Sequence, residues 1–172
     1  MRVAFTLFGG AGWTGGLNYL ENLLSALSEQ PDCTVRPVLF AGTDTDSELL
    51  ARLAPYLSEP PILSRVWNKS RLMRLARLFC AFGLQRDFLA ENAFRRAGID
   101  LVFQHYAWYG YGFQIPTLAW IADFQHRRLP AMFSKTRFLW RDVGYRVLSH
   151  CATRILVSSQ DARQDCERSY PN

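Results

Sequence analysis

The hydrophobic positions fall into short runs and helical periods that alternate along the chain. Residues 2–8 are apolar and β-rich and predict a buried first strand. A glycine-rich stretch, 9–16, interrupts it. Leu17, Leu20, Leu23, Leu24 and Leu27 then recur at helical spacing. Residues 34–41 read as a second strand ended by Gly42. Thr45 or Asp46 caps a helix to about Leu57, which Pro60 and Pro61 break, and Ile62 with Leu63 forms a brief third strand. Residues 71–82 and 86–97 read as helices, separated near Gly83 and stopped at Gly98. Further strands are predicted at 100–103, 116–122 and 154–157, and helices at 135–149 and 159–168. Such alternation predicts an α/β fold: one three-layer, Rossmann-like domain over 1–172 with a mostly parallel sheet covered on both faces.

A chain of 172 residues can bury a sizeable core, and at 49% hydrophobic it is not of disordered composition. Its formal charge of +5 is uneven. Residues 1–60 are net acidic, while 61–100 and 125–154 are net basic. Basic stretches suit phosphates, acidic lipids or nucleic acid. No nucleic-acid-binding module is recognisable, so a nucleic-acid partner is not expected. Cys33, Cys80, Cys151 and Cys166 form no C-x-x-C pair, which fits reduced thiols in a cytoplasmic protein. No apolar run approaches the ~20 residues that span a bilayer. The chain stops at Tyr170-Pro171-Asn172 without a closing element, which leads us to expect a longer protein.

Candidate chemistry gathers where strands end, because ligands of open α/β sheets bind at the carboxyl edge. The first loop satisfies G-x-G-x-x-G through Gly10, Gly12 and Gly15, and its backbone amides can face an anion at a helix start. That pattern alone also fits an NAD(P)-binding dehydrogenase domain, or a tight turn of left-handed residues. Asp123 and His126 leave the end of the 116–122 strand, and a His with an acid nearby can hold or deprotonate a hydroxyl. His105, Trp108 and Tyr109 follow the 100–103 strand in an aromatic, glycine-containing run that can stack on sugars or cover the core. Asp44-Thr45-Asp46 spells D-x-D, read here as a helix-capping turn rather than a metal site. Residues 64–82 interleave Arg65, Lys69, Arg71, Arg74 and Arg77 with leucines and phenylalanines. Such a basic amphipathic helix can lie on anionic lipid or bury one face as an ordinary surface helix.

Three stretches carry a family resemblance. Gly15, Gly16, Asn22 and Leu23 resemble a G-G-x-x-x-x-x-x-N-L pattern, with five residues instead of six between the glycines and the asparagine. Residues 115–134, with Asp123-Phe-Gln-His and Leu129-Pro-Ala-Met-Phe-Ser, resemble I-P-D-F-Q-H-x-x-L-P-x-x-F-S, Ala122 standing where proline is usual. Residues 157–165 resemble V-S-x-x-x-x-x-D, with one residue more before the acid, Asp165. Together they resemble the N-terminal domain of family 4 glycosyltransferases, enzymes of the GT-B fold. The resemblance implies the acceptor-binding half of a retaining, nucleotide-sugar-dependent glycosyltransferase acting on a glycan, lipid or other hydroxyl acceptor. It implies no metal and no cofactor beyond the nucleotide-sugar substrate, and a donor-binding C-terminal domain outside these residues, so that this half alone is inactive. Gly15 and Gly16 would lie against the donor phosphate, with a positive φ at Gly16. Asp123 and His126 would contact sugar or acceptor from an open loop. Asn18, His105, Trp108 and Tyr109 are expected on the acceptor side from their own places in the sequence rather than from the resemblance. The unpaired cysteines and the basic amphipathic stretch, read apart from the resemblance, lead us to expect a cytoplasmic location, peripheral on the inner membrane face. A non-catalytic binding module remains open as another reading.

Overall fold

The computed structural model describes residues 1–7, 14–105 and 107–171. The chain is α/β: six strands in an all-parallel sheet flanked by helices, a Rossmann-like three-layer fold. It divides into two compact units, residues 1–103 with 109–115, and residues 104–108 with 116–172.

In the first unit, β1 (Arg2–Thr6) runs beside β2 (Arg36–Ala41), with Ala4 opposite Val38. β2 pairs with the two-residue β3 (Ile62–Leu63), and β1 on its other side with β4 (Leu101–Gln104). The strands are apolar throughout because both faces are covered. Val3, Ala4, Phe5, Val38, Leu39 and Phe40 are buried, with Leu17, Leu20 and Leu24 of α1 (Thr14–Glu29) among the other buried core residues. Each large side chain so buried stabilises the fold by about 1.5–3 kcal/mol. The predicted first strand is shorter than expected, and Phe8 lies outside the described residues. α1 begins three residues earlier than the apolar period suggested, so Gly15 and Gly16 sit in its first turn rather than in a loop.

α2 (Ser47–Leu53) is capped by Asp46, whose carboxylate accepts the Glu48 N–H at 2.9 Å, and runs into a short 3₁₀ turn. The 71–82 segment is α3 (Arg71–Leu78) continued by a π-helical turn, Phe79–Gly83. α4 (Phe88–Arg96) starts later than expected because the Asp87 side chain caps it, accepting from Ala90 N–H at 3.0 Å. Gly98 ends it in the left-handed conformation, φ +62°. Gly98 N–H reaches Arg95 C=O and Ile99 N–H reaches Phe94 C=O, which satisfies the last carbonyls. Gly110 is also left-handed, φ +92°, and a Cβ there would overlap the backbone of Gln85 and Arg86.

In the second unit, β5 (Thr117–Ile121) pairs with β6 (Arg154–Val157), Ala119 opposite Ile155. α6 (Lys135–Cys151) and α7 (Gln160–Ser169) start at Ser134 and Ser159, whose hydroxyls accept from Arg137 and Ala162 N–H. Ile121, Phe124, Tyr145, Leu148, Cys166 and Tyr170 form its core. One element escapes the sequence reading: α5 (Gln125–Arg128), a single turn too short to show a period. It carries His126.

Candidate functional site

The first unit holds a cavity of about 700 Å³ at the carboxyl edge of its strands. Leu7 follows β1 there, and Phe40, Ala41 and Gly42 close β2. Thr14 and Leu17 of α1, Trp67 and Lys69 complete much of the wall. The parallel β1–α1–β2 connection brings the helix start to the strand end, where its amides and dipole favour an anion. Gly15 is exposed and Gly16 buried in that first turn. Among described glycines only Gly98 and Gly110 have positive φ, so the left-handed backbone expected at Gly16 is not found. Gly10 and Gly12 lie outside the described residues.

Asn18, expected on the acceptor side, is exposed on α1. Its side-chain oxygen accepts from Arg52 Nη2 at 3.0 Å, and Arg52 itself lines the cavity. Arg52 also pairs with Glu21, whose carboxyl that hydrogen bond holds below the usual range. The D-x-D residues are turn residues, as expected: Asp44 accepts the Lys69 N–H at 2.8 Å and Asp46 caps α2. Among the described residues no group of three His, Cys, Asp or Glu could hold a metal ion. Trp67 was not singled out from sequence. Its place just after β3 is a strand-end signal that could have found it. Its indole packs on Phe40 and Phe94 at 4.9 and 5.3 Å between ring centroids. The buried Nε1–H finds no acceptor among the described residues.

The second unit holds the other expected residues, and it partners Asp123 and His126 separately. Asp123 follows β5 and accepts from Arg141 Nη2 at 2.8 Å and from Gln125 N–H at 3.0 Å. His126 is not the open loop residue expected: its relative exposure is 0%. Rings of Tyr145, Phe138 and Phe133 surround it, at 5.2, 5.5 and 6.4 Å between centroids. Tyr170 Oη donates to Asp142 at 2.6 Å, so the 3.1 Å contact with His126 is a bond donated by Nε2–H to the phenol oxygen. Nδ1 then keeps a bare lone pair, with no partner among the described residues. Burial, and then the Arg141 charge, push the imidazole below its usual range, against the pull of Asp142. Burial also works to raise the Asp142 carboxyl, but bonds from Tyr170 and Arg127 prevail and hold it down.

His105 follows β4 at 8% exposure, its ring 5.0 Å from that of Trp120 and its Nδ1 3.4 Å from the Trp120 carbonyl. Burial, aided by Arg141, lowers it to about 4, so it is neutral at pH 7. Trp108 is half-buried. Tyr109 corrects the expectation of an acceptor-lining residue: it is buried in the first unit's core, stacked on Phe113 at 4.7 Å and edge-on to Phe94 at 5.9 Å. Arg141 is the residue that sequence reasoning missed. It binds Asp123, donates to Tyr145 Oη at 3.1 Å and adds its charge to the burial that lowers both histidines.

Fold and cavity together define a Rossmann-like α/β protein with a crevice at the carboxyl edge of its sheet. Compared with known proteins, the chain matches no family model and no curated sequence.

Proposed function

We propose that this chain is the acceptor-binding half of a retaining, nucleotide-sugar-dependent glycosyltransferase whose acceptor is a glycan, a lipid or another hydroxyl compound. The observation that supports the reading is the buried Trp67 indole N–H on the cavity wall, a donor without an acceptor among the described residues. A hydroxyl or phosphate oxygen would satisfy it, and leaving such a donor unmet costs about 1–3 kcal/mol. Lys69 and Arg52 bring cations to the same cavity, beside the carboxylates of Asp46 and Glu48, and the α1 start there favours an anion. The sequence resemblance supplies the retaining mechanism and the nucleotide-sugar donor. The dinucleotide reading loses ground because Asp44, the acid nearest the end of β2, is committed to the Lys69 N–H.

Saturation-transfer NMR on the 172-residue chain tests this with simple glycosides, sugar phosphates and NAD⁺. Sugar phosphates are expected to give signals that Lys69→Ala weakens at least about tenfold, the loss of one charge-assisted contact, and that Gly15→Val weakens by placing a branched side chain at the α1 start. Both positions are exposed, so the fold is expected to survive. NAD⁺ binding with sugars silent would replace the reading with the dinucleotide one.

A further inference from the structure

α3 is amphipathic with its faces reversed. It has no buried residue. Leu72, Leu75, Phe79 and, in the π-helical turn, Phe82 are 78, 63, 64 and 53% exposed. Leu72, Leu75 and Phe79 recur at positions that share one side of an α-helix, and Phe82 follows within the π-helical turn that Phe79 begins. The opposite side holds half-buried Met73 and Ala76 and a cation, Arg77. Arg77 Nε lies 2.8 Å from the carboxylate of buried Asp87, and its guanidinium stands 5.9 Å from the Trp67 ring and 5.7 Å from that of Tyr109. The helix is thus fastened by its arginine and turns its leucines and phenylalanines outward. Singly exposed apolar residues need no explanation, but a contiguous stripe of this kind marks an interaction surface.

The charge around the stripe selects the partner. Between Glu59 and Asp87 the sequence has Arg65, Lys69, Arg71, Arg74, Arg77 and Arg86 and no carboxylate. Arg71 and Arg74 flank the stripe, are exposed, and form no ion pair among the described residues. The stripe is about 15 Å long at 1.5 Å per residue, too narrow for the ~800 Å² per partner of a stable protein interface. A bilayer needs neither that area nor a complementary shape. We propose that this face lies on an anionic lipid bilayer, with Leu72, Leu75, Phe79 and Phe82 at the acyl boundary and Arg71 and Arg74 against the headgroups. The inference is independent of the glycosyl-transfer reading, since it involves neither the cavity nor any sugar.

Co-sedimentation of the 172-residue chain tests it, with vesicles of phosphatidylcholine alone and of phosphatidylcholine mixed equally with phosphatidylglycerol. Binding is expected to be at least about tenfold tighter to the mixed vesicles and to be released by salt. Leu75→Glu/Phe79→Glu and Arg71→Glu/Arg74→Glu are each expected to lose about tenfold or more. Circular dichroism checks that these exposed substitutions keep the fold, and the arginine pair carries the test should the apolar pair unfold. Equal binding to both vesicles, binding to neither, or folded variants that bind like the parent would overturn the proposal. So would a dimer in sedimentation velocity that Leu75→Glu/Phe79→Glu abolishes while vesicle binding is absent, because the stripe then meets a second copy.

Discussion

An imidazole with no accessible surface, one nitrogen donating to a phenol and the other bare, serves a fold best in its neutral form. His126 is in that position, and its loss would leave both a cavity among three rings and the Tyr170 oxygen short of a donor. His126→Ala is therefore expected to cost about 2–4 kcal/mol, read from the urea midpoint at constant slope. A change under about 0.5 kcal/mol, the size of an ordinary surface substitution, would mean that the network does not form. Asp123 and His126 stood out in the sequence by their place after a strand. What surrounds them did not, because Arg141, Asp142 and Tyr170 arrive from 16 to 44 residues away. Local spacing carries no trace of such pairings. The burial of Tyr109 was equally hidden, since an aromatic after a strand can turn either way.

Helices follow their caps and periods, and most were legible: Asp46 and Gly98 act at the ends they marked. The orientation of α3 was not. A period of apolar residues shows that a helix has a stripe, but only the tertiary partner of Arg77 fixes which side faces in. Two glycines offer a matched comparison at this scale. Gly98 has open space around a would-be Cβ, so Gly98→Ala is expected to cost only the left-handed penalty, about 1–2 kcal/mol. Gly110→Ala adds a collision with the Gln85 carbonyl and the Arg86 amide, both backbone and unable to yield cheaply. Its cost is expected to exceed that of Gly98→Ala by about 1–3 kcal/mol in paired denaturation curves, the range for enforced backbone strain. Equal costs would show that the 85–86 turn gives way.

Across the whole molecule, buried histidines and paired carboxylates make stability pH-dependent in one direction. His105, lowered to about 4, and His126, also lowered, are neutral in the folded chain, whereas the unfolded chain takes up protons near 6.5. The unfolded state binds more protons between those values, so stability is complete above about pH 6.5 and falls as pH drops toward 4. Below that, protonation removes the contributions of Glu91, held down first by its bond to Arg86, and of Asp142. Urea unfolding at a series of pH values is expected to show a slope of up to about 1.4 kcal/mol per pH unit for each histidine. His105→Gln/His126→Gln should flatten the curve between pH 6.5 and 5. A flat parent curve in that window would refute the assignment. At this scale the alternation of strands and helices was enough to read the α/β class, because parallel strands require helical crossovers.

The two compact units do not follow one another along the chain. The backbone passes from the first to the second after Phe103, returns at Tyr109, and leaves again after Ile115. No single cut therefore releases either unit whole. A truncation after Phe103 removes residues 109–115 from the first unit, and one after Ile115 leaves residues 104–108 of the second unit behind.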